Sequence, residues 1–239
     1  MMKLRKVNTV RRNMDYKISV DLLAGFKGSG KTSFINKLAG YVWSKEKTLF
    51  IQNETGIESL SINNIKGNWK AEEITGGCIC CTGNAYLETT IEKAVKEYRP
   101  QKIVLELAQT ANIRDVYDLI LKIKSADCYI NRLFYIINAA DFYKRMFISE
   151  IFLKDQLAIV PLVVLNRSLK LSEEKTEEII GFLKSANSQI EIVNDCFEEP
   201  TSPLLDKLLL MSEFKGIKDK KSPKSFTNLG FKYSDFINN

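Results

Sequence analysis

ISVDLLAGFKGSGKT, residues 18–32, is the stretch that decides the fold. Ile18 to Ala24 is apolar and β-rich, and it runs straight into a glycine-punctuated turn. Gly25 to Thr32, GFKGSGKT, satisfies every fixed position of G-x-x-x-x-G-K-S/T. From Ser33 to Trp43, Phe34, Leu38 and Val42 fall at helical spacing. A strand, a glycine-rich loop and a helix in that order are the context a phosphate-binding loop requires. Glycines at 25, 28 and 30 let the backbone fold around an anion, with the N–H groups of Ser29, Gly30 and Ser33 and the helix N-terminus facing it. Lys31 is expected to reach the β- and γ-phosphates, and the Thr32 hydroxyl to ligate magnesium.

Outward from the loop, strands alternate with helices. Thr48–Ile51, Ala71–Thr75, Lys102–Leu107, Leu133–Ile137, Ile159–Leu165 and Ile190–Val193 read as strands. Glu88–Tyr98, Arg114–Lys124 and Glu173–Ser185 read as helices, the first ended by Pro100. Residues 53–70 are polar and read as a long loop. The alternation predicts an α/β fold of the P-loop NTPase kind: a mostly parallel sheet with helices on both faces, binding ligands at the carboxyl ends of its strands. An acid ending a later strand is the second part such a site needs. Glu106, in KIVLELAQ, is the candidate catalytic residue beside Lys31.

Three parts are expected: a basic N-terminal extension at 1–13, a nucleotide-binding domain at 14–200, and a C-terminal helix (Leu204–Met211) with a lysine-rich tail at 201–239. Phe226, Phe231 and Phe236 could dock that tail on the body. The net charge of +6 is carried by the two ends, at +5 for residues 1–13 and +4 for residues 214–239, which leaves the middle at −3. A slightly acidic body with basic tails argues against nucleic acid as a partner. No apolar run suits a signal peptide or a membrane span, so a cytoplasmic protein with no membrane partner is expected.

Gly76 to Cys81 reads GGCICC, which places three of the 5 cysteines together as C-x-C-C. Clustered thiolates in an intracellular chain point to a metal or redox site before a disulfide framework. Cys78, Cys80 and Cys81 suit zinc, copper(I) or another thiophilic metal and leave one tetrahedral position for exchange. The chain has no histidine, so Glu54 is the candidate fourth ligand. A redox pair and three buried core thiols are the competing readings. Cys128 and Cys196 stand alone and read as core residues.

Taken together, GFKGSGKT, then Asn53-Glu54 followed by Gly56, then GGCICC, then IVLELAQTAN (103–112) resembles the CobW-like family of P-loop GTPases, the CobW/HypB/UreG nucleotide-binding domain. Order and spacing agree over about residues 18–168, and the cysteine element after a P-loop is the specific part. The resemblance implies GTP with magnesium, hydrolysis coupled to zinc or a similar metal, delivery to a client metalloprotein, and assembly as a homodimer. Asn166 and Arg167 then match the start of the guanine motif NKxD, and Asn138-Ala139 a divergent V-D-A segment.

Three departures bear on function. Leu169 stands where NKxD has its aspartate, which weakens guanine discrimination and leaves ATP open. Gln109 stands where the family's E-S/T-x-G has glycine, so a stiffer γ-phosphate segment and slow hydrolysis are expected. About seventy residues follow Asn166, too few for the family's usual histidine-rich C-terminal domain, which is expected to be missing. The alternative function is a non-hydrolytic nucleotide- and metal-binding module that regulates a partner. A small-molecule kinase ranks last, because Arg114 and Arg132 are scattered and form no arginine-rich lid.

Overall fold

The computed structural model describes residues 17–52, 60, 67–74, 84–195, 205–208, 214 and 216. Its strands are β1 (Lys17–Ala24), β2 (Thr48–Gln52), β3 (Trp69–Glu73), β4 (Lys102–Glu106), β5 (Asp127–Asn138), β6 (Leu162–Asn166) and β7 (Glu191–Asp195). Its helices are α1 (Lys31–Val42), α2 (Asn84–Glu97), α3 (Ile113–Lys122), α4 (Phe142–Leu157) and α5 (Glu173–Ala186). The seven strands form one sheet in the order β3-β2-β4-β1-β5-β6-β7, and every pairing is parallel. This is the α/β architecture expected of the alternating pattern.

Alternation along β1 splits the core in two. Ile18, Val20, Leu22 and Ala24 face one layer with Leu87 and Ile91 of α2, Val116 and Ile120 of α3, Leu153 and Leu157 of α4, and Ile179 and Leu183 of α5. Leu23, with Phe50, Val104, Phe134 and Val164, faces the other layer, where α1 supplies Phe34, Ile35 and Leu38. Strands buried on both faces read as continuous apolar runs, as β4 and β6 do. The edge strand β3, WKAEE, is half exposed and charged, a composition that discourages pairing with a further strand.

Helix ends follow local chemistry. Asn112 caps α3 by accepting from the Arg114 N–H at 2.8 Å. Ser172 caps α5 in the same way, with Glu173 and Glu174 in its first turn where the helix dipole favours acids.

Several boundaries differ from the sequence reading. The third strand is Trp69–Glu73 rather than 71–75. β5 starts at Asp127, well before Leu133. Its polar Asn131 and Arg132 break the alternation, and a register shift against β1 falls there. β6 starts at Leu162 rather than Ile159, because the N–H groups of Ile159 and Val160 close the last turn of α4 and Pro161 has none to give. Helix α4 was not expected. Its apolar residues lie all round rather than on one stripe: Leu153 and Leu157 are buried, whereas Phe147 is 92% exposed. In the C-terminal part, residues 205–208 are helical; Phe226, Phe231 and Phe236 lie outside the described residues.

Candidate functional site

The carboxyl ends of β1, β2, β4, β5 and β6 converge on the loop between β1 and α1. Gly25 turns the chain at φ 143°, and a Cβ there would lie 2.3 Å from the Ile136 carbonyl oxygen, so no side chain fits without backbone movement. Gly30, the N-cap of α1, sits at φ 104°, a conformation open to glycine. Gly28 also has positive φ, at 75°. Lys31 is buried, and its Nζ donates to the carbonyls of Gly25 at 3.0 Å and Phe26 at 3.2 Å. The ammonium is thereby held across the mouth of the loop.

On the β4 side, the Thr32 hydroxyl lies 3.0 and 3.1 Å from the two carboxylate oxygens of Glu106. Glu106 ends β4 and is 1% exposed. The Gln52 carboxamide at the end of β2 approaches the same hydroxyl at 3.4 Å, and Gln52 is in register with Glu106. Gln52 is a site residue that the sequence reading missed. The available signal was a polar residue ending an apolar strand, TLFIQ, beside the strand that ends in the acid. These hydroxyl, carboxylate and amide groups form a hard donor set of the kind magnesium accepts.

On the β6 side, Asn166 Nδ2 donates to the Ser29 carbonyl at 3.0 Å. Asn166 Oδ1 and Ser29 Oγ are buried and have no hydrogen-bond partner among the described residues. Orphaned buried polar groups of this kind cost about 1–3 kcal/mol each, which a bound ligand or water would offset. Asn138, in register with Asn166, is held by Asp141 at 2.8 Å. Phe26, Lys27, Asn138, Asp141 and Arg145 line a small pocket beside the loop. Arg167 is exposed with φ 61°, Ser168 is buried, and Leu169 is 85% exposed. Ser33 lies in the first turn of α1, half-buried.

Gln109 touches the loop as well: its Oε1 accepts from the Lys27 N–H at 3.2 Å. Arg114 lies 4.0 Å from Asp155, and Arg132 pairs with Asp21 at 3.1 Å, so each faces an aspartate on the body. Cys78, Cys80, Cys81 and Glu54 lie outside the described residues, as does Cys196. Among the described residues, no group of three or more His, Cys, Asp or Glu could hold a metal. Cys128 is buried, as expected of a core residue, and burial pushes its thiol up from 9.0 to about 12. No helix among the described residues is long and apolar enough to cross a membrane.

A parallel sheet with helices on both faces, and a glycine-turned lysine loop between its central strand and the following helix, define a P-loop nucleoside triphosphatase. Residues 19–194 match the family model described as CobW/HypB/UreG, nucleotide-binding domain, and the chain belongs to that family. It is 23% identical over 198 residues to the zinc chaperone YeiR of Escherichia coli (strain K12), covering 78% of this chain and 57% of that protein. It is 24% identical over 217 residues to the zinc-regulated GTPase metalloprotein activator 1 of Dictyostelium discoideum, covering 74% and 45%. The chain therefore spans about half the length of these curated relatives. Among solved structures, the Zn(II)-bound YjiA GTPase from E. coli superposes with a TM-score of 0.58 at 15% identity, covering 85% of this chain and 67% of that one. HypB from Helicobacter pylori in complex with nickel gives 0.54 at 12% identity, covering 85% and 91%. These two likenesses speak for the fold alone.

Proposed function

We propose that this chain binds and hydrolyses a nucleoside triphosphate, GTP first and ATP second, and couples turnover to handling a thiophilic metal ion for a client metalloprotein. The observation that carries the nucleotide half is the Thr32–Glu106 pair set against Lys31. A hydroxyl and a buried carboxylate 3.0 Å apart, beside a loop whose lysine is already oriented, would hold magnesium and the terminal phosphates. Magnesium, when bound, supplies charge neutralisation on the β- and γ-phosphate oxygens.

The protein's own part is positioning. Glycines 25, 28 and 30 present loop N–H groups to the phosphates, joined by those of Ser29 and Ser33. Lys31 Nζ, held at the loop by the carbonyls of Gly25 and Phe26, is the cation that would meet a terminal phosphate oxygen. Glu106 orients the attacking water or a magnesium-bound one. Asn166, fixed on Ser29, and Arg167 frame the base end, where the exposed Leu169 offers guanine no carboxylate.

Zinc is the first candidate cargo, since the two relatives cited are described as a zinc chaperone and a zinc-regulated activator. Cys78, Cys80, Cys81 and Glu54 are the proposed ligands. In the sequence the cysteine segment comes after β3 and Glu54 after β2, and those two strands are parallel neighbours in the sheet. A change in the γ-phosphate state could therefore reach the metal ligands through β2, which lies directly beside β4 and Glu106. The proposed organisation keeps residues 1–13 as a basic extension, 14–200 as the nucleotide-binding domain and 201–239 as a C-terminal segment. A homodimer, and a cytoplasmic setting without nucleic acid or membrane partners, complete the proposal.

A regulatory module without turnover is favoured by one observation, the Gln109 side chain seated on the loop N–H of Lys27. Phosphate release from GTP and ATP, with magnesium and with or without zinc, separates the two readings. Zinc-sensitive turnover in the native chain, lost in Cys80→Ser, supports the coupled enzyme. Nucleotide binding with no turnover supports the module.

A further inference from the structure

Lys27 is the third residue of the phosphate loop, and its peptide groups are held from two sides. Its N–H donates to Gln109 Oε1 at 3.2 Å, and its carbonyl accepts from Arg145 Nη2 of α4 at 3.4 Å. Loop N–H groups of this kind are what a P-loop offers to phosphate oxygens. A carboxamide oxygen offers the same acceptor chemistry without the charge. Gln109 thus presents an internal substitute for a phosphate oxygen.

Its place in the fold says which phosphate. Gln109 lies three residues beyond Glu106, in the loop from β4 to α3, on the side where Glu106 meets Thr32. Asn166 binds Ser29 on the opposite side of β1, from β6. The Asn166 side is the base end under the reading above, and the Glu106 side is the terminal-phosphate end. Gln109 therefore stands where a triphosphate differs from a diphosphate.

We infer that Gln109 determines discrimination between triphosphate and diphosphate by competing with the γ-phosphate for the Lys27 N–H. A diphosphate leaves the contact in place. A triphosphate displaces the carboxamide and frees the loop that leads into α3. The cost falls on the triphosphate alone, so the native chain favours it less than the loop chemistry by itself would allow. This inference rests on the reading of Gly25–Thr32 as a nucleotide site.

The test is the ratio of dissociation constants for GDP and its β,γ-imido triphosphate counterpart, measured on the full chain with magnesium. Gln109→Ala removes the competitor and is expected to shift the ratio toward the triphosphate by roughly fivefold, the size of one net hydrogen bond. Gln109→Glu puts a negative charge against the same N–H and against the phosphate, and is expected to shift the ratio the other way. A residue with only a structural role would change both affinities alike. Native ratios in both variants, with binding intact, would overturn the inference and leave the nucleotide site standing. A native chain that binds neither nucleotide would overturn both.

Discussion

Among the described residues, Asp21 and Glu106 are carboxylates buried within this sheet, and the chain treats them differently. Asp21, in the middle of β1, is 0% exposed and meets three donors: Trp43 Nε1 at 2.7 Å, Asn131 Nδ2 at 2.8 Å and the Arg132 guanidinium at 3.1 Å. Glu106, at the end of β4, is 1% exposed, and both its oxygens face the hydroxyl of a phosphate-loop residue. A buried carboxylate is tolerated only when its charge is answered. At Asp21 a cation of the body answers it, and the group becomes part of the scaffold. At Glu106 both oxygens accept from the hydroxyl of Thr32, the residue proposed to hold magnesium. Burial alone therefore does not mark a functional acid; the chemistry of what faces it does.

The scaffold side of the comparison carries the largest expected loss of stability. Asp21→Asn leaves the Arg132 charge buried opposite a neutral group and should cost about 3–5 kcal/mol in denaturant unfolding. Turnover per folded molecule should stay native, and a loss of turnover without loss of stability would place Asp21 in the site instead. Trp43→Phe keeps an aromatic ring edge-on to Phe34 and Phe50 but removes the shortest of the three donors to Asp21. It should cost about 1–3 kcal/mol, and less if Asn131 and Arg132 take up the freed lone pair.

The smallest expected effect is at Cys128, buried under the same strand pair. Its thiol ionises near 9.0 when unfolded and near about 12 when folded. The folded state holds the proton more tightly. Its contribution is therefore complete below pH 9.0 and is lost as pH rises toward 12. Cys128→Ala should remove that alkaline fall in stability. Thiol reagents at pH 8 should label Cys128 only after unfolding.

Sequence carried the strand–loop–helix unit and the mostly parallel α/β sheet, because both follow from local pattern, and it named Lys31, Thr32 and Glu106 one by one, from the loop motif and from an acid ending an apolar strand. It missed what depends on neighbours. Helix α4 has apolar residues on every side, since it covers the core with one face and exposes Phe147 and Ile151 on another. The early start of β5 is hidden by Asn131 and Arg132, polar for the sake of Asp21, a residue 110 positions away from Asn131. Gln52 and Gln109 join the site through tertiary contacts with Thr32 and Lys27 that no spacing rule encodes. The sequence reading did single out Gln109, as a departure from glycine; its contact with the loop needed coordinates.

The most direct measurement is single-turnover hydrolysis of GTP with magnesium by the native chain and by Glu106→Gln, with nucleotide affinity and unfolding midpoint recorded on the same samples. The expected result is a fall in the hydrolysis rate of about 100-fold or more, with nucleotide still bound and the midpoint close to native. A Glu106→Gln chain that hydrolyses GTP at the native rate would contradict the account and make Glu106 a second scaffold carboxylate like Asp21.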